Sequence, residues 1–215
     1  MTGSAREFLA EAREALAPAA NDNRLVPMIA SGKAPRSVFA TIAAEETRIV
    51  PSDWRCFLTM ASRCTEPHSR GLFAGLAGGE SIALGMLDTL ADASGLDATT
   101  RDTYEPMAGC QAYPAYMAWL ALLGEPSDVV VALLANFAAW GDYCGTIAAA
   151  MREHYGFDDD ACGFFDFFAT PVPEIEEQAV AALTAQAPTA AALRYGRLFQ
   201  SYELMFWNTI ADSVA

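Results

Sequence analysis

Histidine is nearly missing from this 215-residue chain: His68 and His154 are the whole supply, and neither sits in an HExxH pattern. Two are too few for a His-rich metal centre. Charge is also scarce, with 19% charged against 53% hydrophobic residues. That ratio excludes general disorder, and an oligomer that covers extra surface would favour it too. Basic residues are outnumbered 13 to 27, a formal charge of −14, so neither nucleic acid nor an anionic membrane is an expected partner. No CxxC pair occurs among Cys56, Cys64, Cys110, Cys144 and Cys162, and their odd number argues against a complete disulfide framework. Strand alternation and a fixed internal repeat are both lacking. No uninterrupted apolar stretch approaches the roughly 20 residues that span a bilayer. A basic region followed by an apolar core is not found at the N-terminus, so the expectation is a cytoplasmic protein.

What remains is alanine-rich sequence with apolar residues at helical spacing, a composition suited to close-packed helices. One domain over residues 1–215 is the simplest reading of the length. A first helix is expected from Ser4 to Ala17, with Phe8, Leu9 and Leu16 inward. A second starts at Pro35 and carries Val38, Phe39, Ile42 and Ile49; after a break or kink at Pro51 come Trp54, Phe57 and Leu58. Another fits Arg70 to Ala93, weakened by Gly78-Gly79 and stopped by Gly95. Pro106 and Gly109 precede the segment from Tyr113 to Leu123. Ser127-Asp128 opens a long helix to about His154, and the acids at 158–160 cap a Phe-rich segment. An acidic helix begins near Glu174, and the last begins near Pro188-Thr189 and runs through Ile210. The expected fold is all-α, a bundle of seven to eight helices.

The residues with chemical potential are acids and aromatics. Glu203 lies in Tyr202-Glu203-Leu204-Met205-Phe206-Trp207, one turn from both Phe199 and Trp207. A carboxylate on a packed helix is either a structural partner or a proton donor or acceptor toward a ligand. Glu45 and Glu46 are adjacent, so their directions differ by about 100°, and one can enter the core while the other meets solvent. Glu45 is either paired with Arg48, or with a cationic ligand, or an ordinary surface acid. Tyr113, Tyr116, Trp119, Phe137, Trp140 and Tyr143 either line a pocket for a flat heterocycle or simply fill the core. Asn136 interrupts the apolar run Leu133-Leu134-Ala135 and suits either ligand reading or a neighbouring side chain. Cys144 fits a small core residue better than a nucleophile, since no His is spaced to activate it.

With Tyr202-Glu203-x-x-Phe206-Trp207, the helix order and the Tyr113-to-Asn136 spacing, the chain resembles the TenA/THI-4 family, of the haem-oxygenase-like fold, over nearly its whole length. The resemblance implies hydrolysis of an aminopyrimidine or related small heterocycle, as in thiamine salvage. Glu203 would exchange protons with the pyrimidine region, Glu45 would match the usual second-helix Asp, and Tyr113 would be the pocket tyrosine. Tyr202 and Phe206 come with the motif. The chain departs from the pattern where Asn136 stands at the place of the nucleophilic Cys, Trp140 near a customary Tyr, and Arg48 near another. Catalytic Glu203 and Glu45, with Tyr113, Asn136, Trp140, Arg48, Tyr202 and Phe206 binding the heterocycle, are therefore expected. Neither cofactor nor metal is expected, and a homo-oligomer is. A non-catalytic binding protein of the same fold is the alternative reading. A di-iron branch of the fold is disfavoured, because its ligand positions fall on Leu87, Pro171, Ile175 and Gln178.

Overall fold

Ser4 shows how local chemistry starts this fold. Its hydroxyl accepts from the Glu7 N–H, and the Glu7 carboxylate accepts from the Ser4 N–H at 2.7 Å, closing a capping box at the head of α1 (Ala5–Leu16). The structure, a computed structural model, describes residues 4–19 and 21–214. Asn23 then accepts from the Leu25 and Val26 N–H groups and starts the short α2 (Leu25–Ala30). The helices that follow are α3 (Val38–Arg63), α4 (Pro67–Ala93), α5 (Ala98–Thr103), α6 (Ala108–Leu123), α7 (Pro126–Tyr155), α8 (Asp159–Ala169), α9 (Pro173–Ala185) and α10 (Ala192–Ser213). Eight of the ten have 11 residues or more, and no strand occurs among the described residues. The all-α bundle is thus as expected, with the six-residue α2 and α5 added.

Three local expectations change. Pro51 does not break its helix: α3 runs through it unbroken, 26 residues in all. The proline removes one backbone hydrogen bond, a cost of about 3 kcal/mol. Ile49, Val50, Phe57 and Met60 are buried on either side of it, each stabilising the continuous rod by about 1.5–3 kcal/mol. Trp54 and Leu58 are exposed instead of facing the core. Asp128 is no cap, since α7 already begins at Pro126; its carboxylate accepts from the Thr189 hydroxyl at 2.7 Å and ties α7 to the approach of α10. That approach is irregular, so α10 starts at Ala192.

The core has two lobes. One gathers Phe39 and Ile42 of α3, Leu87 and Leu90 of α4, Ile147 and Met151 of α7, Phe164 and Phe165 of α8, and Phe206, Trp207 and Ile210 of α10. The other gathers Leu9 of α1, Phe57 and Met60 of α3, Leu72 and Phe73 of α4, Val130 and Leu133 of α7, and Phe199 of α10. Thus α3, α4, α7 and α10 each cross from one lobe to the other. Their crossing turns carry the buried polar residues Glu46 and Asp53, Asn136, and Gln200 and Glu203. The apolar lobes supply the stability, and the seam between them is where polar groups collect. By length and composition α7 would also suit a membrane crossing, yet here it packs against α8, α10, α1 and α2 as a central helix.

Candidate functional site

A cavity of about 680 Å³ opens at the seam. Its walls carry seven acids: Glu46 and Asp53 from α3, Glu80 from α4, Asp142 from α7, Glu176 and Glu177 from α9, and Glu203 from α10. Glu46 and Asp53 are seven residues apart and share one face of α3 with Val50 and Phe57, which also line the space. On α4, Gly75, Leu76, Gly79 and Glu80 share a face. A Cβ at Gly75 would meet nothing within 4 Å, and at Gly79 only the tip of Phe167 at 3.8 Å. The glycines therefore leave room that larger side chains would occupy. Tyr113, Phe137, Trp140, Phe167, Phe168 and Phe206 supply the aromatic wall, with Trp140 edge-on to Phe168 at 5.8 Å and tilted against Trp207 at 5.3 Å. Arg6 and Arg13 also line the space, and both pair with Glu176, at 2.8 and 2.9 Å.

Glu203 is held from two sides. Trp207, one turn on, donates its indole N–H to Oε1 at 3.0 Å, and Asn136 Nδ2 donates to Oε2. The same Nδ2 reaches Gln200 Oε1 at 2.6 Å, and Gln200 in turn donates to the Leu16 carbonyl at 3.2 Å. This relay fixes the amide of Asn136, so its nitrogen faces the carboxylate. Burial pushes the Glu203 carboxyl up to about 7, and the Trp207 and Asn136 donors restrain the rise. Glu46 is driven well above the usual carboxylate range by burial and then by Asp53, Glu45 and Glu203. Burial raises Asp53 to about 7; the Tyr113 hydroxyl beside it opposes the shift without closing a well-formed hydrogen bond. Glu80 is likewise pushed up by burial, Asp53 and Glu46.

The expected residues separate into two groups. Glu203, Asn136, Tyr113, Trp140 and Phe206 come together around the cavity. Glu45 does not. It is fully buried and accepts from the Tyr104 hydroxyl at 2.7 Å, the Met107 N–H at 2.8 Å and Gln111 Nε2 at 2.7 Å. These bonds satisfy it structurally, where α5 leads into α6, and the α3 acid that faces the cavity is its neighbour Glu46. Neither of the two meets solvent. Arg48 is exposed and bonds the Arg101 carbonyl at 3.4 Å, away from Glu45 and the cavity. Tyr202 turns away from Glu203 by the rotation between consecutive helical residues, and rests on Tyr116 at 5.0 Å. Cys144 is fully buried outside the lining, and burial with nearby Glu46 and Glu203 holds its thiol well above normal. It is a core residue. His154 contacts the Ala30 carbonyl at 3.1 Å, at the far end of α7. Among the described residues no three His, Cys, Asp or Glu side chains are grouped closely enough to hold a metal ion.

Sequence reasoning missed Asp53 and Glu80 as lining residues, and of the adjacent pair Glu45-Glu46 it gave the site role to Glu45. The signal was present: acids seven residues apart on an otherwise apolar face of α3, and an acid beside small residues on α4.

The all-α bundle has the haem-oxygenase-like fold, as the comparisons show. The model of the TENA/THI-4/PQQC family matches residues 13–213, and the chain belongs to that family. No curated protein matches it. Among solved structures it is similar to a domain of unknown function with a haem oxygenase-like fold from Shewanella denitrificans (TM-score 0.72, 14% identity, 97% of this chain and 89% of that one). It is also similar to a TenA homologue from P. horikoshii (TM-score 0.70, 16% identity, 97% and 98%) and to one from Pseudomonas syringae (TM-score 0.72, 10% identity, 97% and 91%). At these identities the likeness carries the fold.

Proposed function

We propose that this protein is a divergent TenA-like hydrolase acting on an aminopyrimidine or a related small amino-substituted heterocycle. The observation that carries the reading is Glu203: buried, oriented by two donors, open to the chamber, and poised to gain or lose a proton near neutral pH. Trp140, Tyr113 and Phe206 offer faces against which a flat ring packs. Glu46 is the acid placed to accept from a ring amino group, the role that sequence reasoning gave to Glu45. No cysteine lines the chamber, so the nucleophile is water. Glu203 as carboxylate removes a proton from the attacking water; the C–N bond of the substrate breaks, and the same carboxyl returns the proton to the departing amine. Asn136 keeps Glu203 in the orientation this exchange requires.

The experiment is incubation of the purified protein with aminopyrimidines and thiamine analogues, with products detected by mass. Glu203→Gln is expected to lower turnover by about 100-fold or more while ligand binding persists. Cys144→Ser is expected to leave turnover unchanged. Binding without turnover by the intact protein would replace this reading with a non-catalytic small-molecule-binding protein, which Asn136 at the place of the nucleophilic Cys favours. A homo-oligomer acting in the cytoplasm, with neither nucleic acid nor membrane as partner, belongs to the same proposal. The exposed Trp119, Leu122 and Leu123 of α6 and Leu198 and Met205 of α10 support self-association, and five unpaired cysteines suit a reducing compartment.

A further inference from the structure

The chamber has a buried floor and an exposed rim. Glu46, Asp53, Asn136 and Glu203 belong to the floor, on α3, α7 and α10. The exposed lining residues lie chiefly on another side: Arg6 on α1, Ala138 and Asp142 on α7, and Thr170, Pro171 and Val172 between α8 and α9. These mark the mouth, and at it one carboxylate holds two arginines. Glu176 Oε1 accepts from Arg6 Nη1 at 2.8 Å, and its Oε2 accepts from Arg13 Nη1 at 2.9 Å. The two arginines are seven residues apart on one face of α1, so the contact extends over about 10 Å of the rim. Arg13 is fastened to α7 as well, its Nε donating to the Leu134 carbonyl at 3.4 Å. We propose that Arg6, Glu176 and Arg13 form a latch that narrows the mouth, and that ligands exchange when the first turn of α9 lifts away from α1. The inference goes beyond the hydrolase reading and does not depend on it, since any occupant of the chamber passes the same rim.

The setting of the pairs supports a moving part. α1 rests chiefly on α7 and α9 chiefly on α4, so the latch joins two helices that have different anchors. The larger apolar residues beside it in sequence, Phe8 and Ile175, are only partly buried and hold the two helices loosely there. The later turns of α9 bury Ala179, Ala182 and Leu183, and these keep the helix on the bundle while its start moves. The connector ahead of α9 is suited to bending: Thr170, Pro171 and Val172 are exposed, lie outside any helix, and Pro171 has no N–H to tie down. The strength of the pairs also fits. The side chains of Arg6, Arg13 and Glu176 are 60%, 31% and 35% exposed, and ion pairs so open to water are individually weak and screened by salt. As fasteners of the fold they would contribute little. As a latch that thermal motion opens they have the right strength, whereas a fully buried pair would hold the mouth shut.

A thiol placed on the floor tests the latch without any ligand. Val50 lines the chamber at 2% exposure, and no native cysteine does, so Val50→Cys in the full-length protein reports entry of a small neutral alkylating agent, iodoacetamide. Peptide masses give the rate at each cysteine. Adding Glu176→Gln should speed alkylation of the new thiol by about threefold or more, and adding Arg6→Gln by about twofold, the scale that exposed ion pairs set. Raising salt about tenfold should have a like effect while the latch is intact and none once Glu176 is replaced. An exposed thiol, Ser62→Cys, corrects for any action of salt on the reagent. Equal rates with and without the latch substitutions would overturn the proposal, as would a rate that ignores salt in the protein that keeps all three residues. Alkylation of Cys144 rising in step would overturn it too, because that core thiol reports general unfolding. If Val50→Cys melts well below the parent, Gly79→Cys on α4 takes its place, since a Cβ there meets only the tip of Phe167 at 3.8 Å. Latch behaviour in a protein that turns over no heterocycle would keep this inference and remove the hydrolase reading.

Discussion

Asn136 occupies the position at which family resemblance puts a nucleophile, and its contacts make it a positioning residue for Glu203. Its amide nitrogen is shared between Gln200 and Glu203, so it stabilises the ionised form of that acid. In Asn136→Ala the carboxyl loses a donor and its pKa rises further. If Glu203 works as a base, the acidic limb of the activity profile then moves to higher pH. We expect activity on that limb to fall by roughly tenfold, with less loss at alkaline pH, in a pH series of kcat/KM. A loss equal at every pH would mean that Asn136 contacts the substrate directly. Gln200 Oε1 would be left without its donor, so a stability cost of about 1–3 kcal/mol should accompany the change in denaturant unfolding.

At the level of helices, much of the fold was legible. Periodicity and caps marked the eight longer helices, because each buries an apolar stripe and several begin or end at Gly, Pro or an acid. What was not legible has physical causes. α2 and α5, at six residues each, are too short to show a period. Pro51 reads as a breaker, since local sequence does not reveal the packing on both sides of it. Glu45 and Glu46 show the limit most clearly, for apolar residues flank both, and only the arrival of Tyr104, Met107 and Gln111 decides which acid is tied to α5 and α6. Tyr202 failed for the same reason beside Glu203. That Glu203, Asn136, Tyr113, Trp140 and Phe206 share one cavity was legible because each is a polar or aromatic exception at a core register. The assignment of Glu45 gives a sharp test: Glu45→Gln replaces an acceptor of three hydrogen bonds and should lower stability by about 2–4 kcal/mol, yet leave ligand affinity within about twofold. Glu46→Gln should show the opposite pattern, seen by calorimetry and thermal melts side by side.

Across the whole molecule, the clustered acids make stability depend on pH in an unusual direction. Asp53 and Glu203 have folded-state values of about 7, above their ordinary 3.8 and 4.5. Between those limits the folded chain holds protons that the unfolded chain releases, so stability falls as pH rises and the loss from these two groups is complete above about 7. Glu46 and Glu80 extend the decline upward. The surplus of negative charge acts in the same direction. Thermal melts from about pH 5 to pH 8 should therefore show a falling midpoint. Asp53→Asn should flatten that slope and raise the midpoint at pH 8 by roughly 2–4 °C per kcal/mol recovered. A midpoint that climbs toward pH 8 would mean that these acids are ionised and satisfied in the folded chain.

Glycine within a helix gives up about 1 kcal/mol relative to alanine. At Gly75 and Gly79 a methyl group would touch nothing or make ordinary contact, so neither position needs glycine for backbone reasons. Their bareness instead sets the bore of the cavity, which can be narrowed one carbon at a time from a single helix while Glu203 and its two donors opposite stay still. Under the proposed hydrolase reading, ligand girth and reaction chemistry are thereby separable, and the first can drift without disturbing the second.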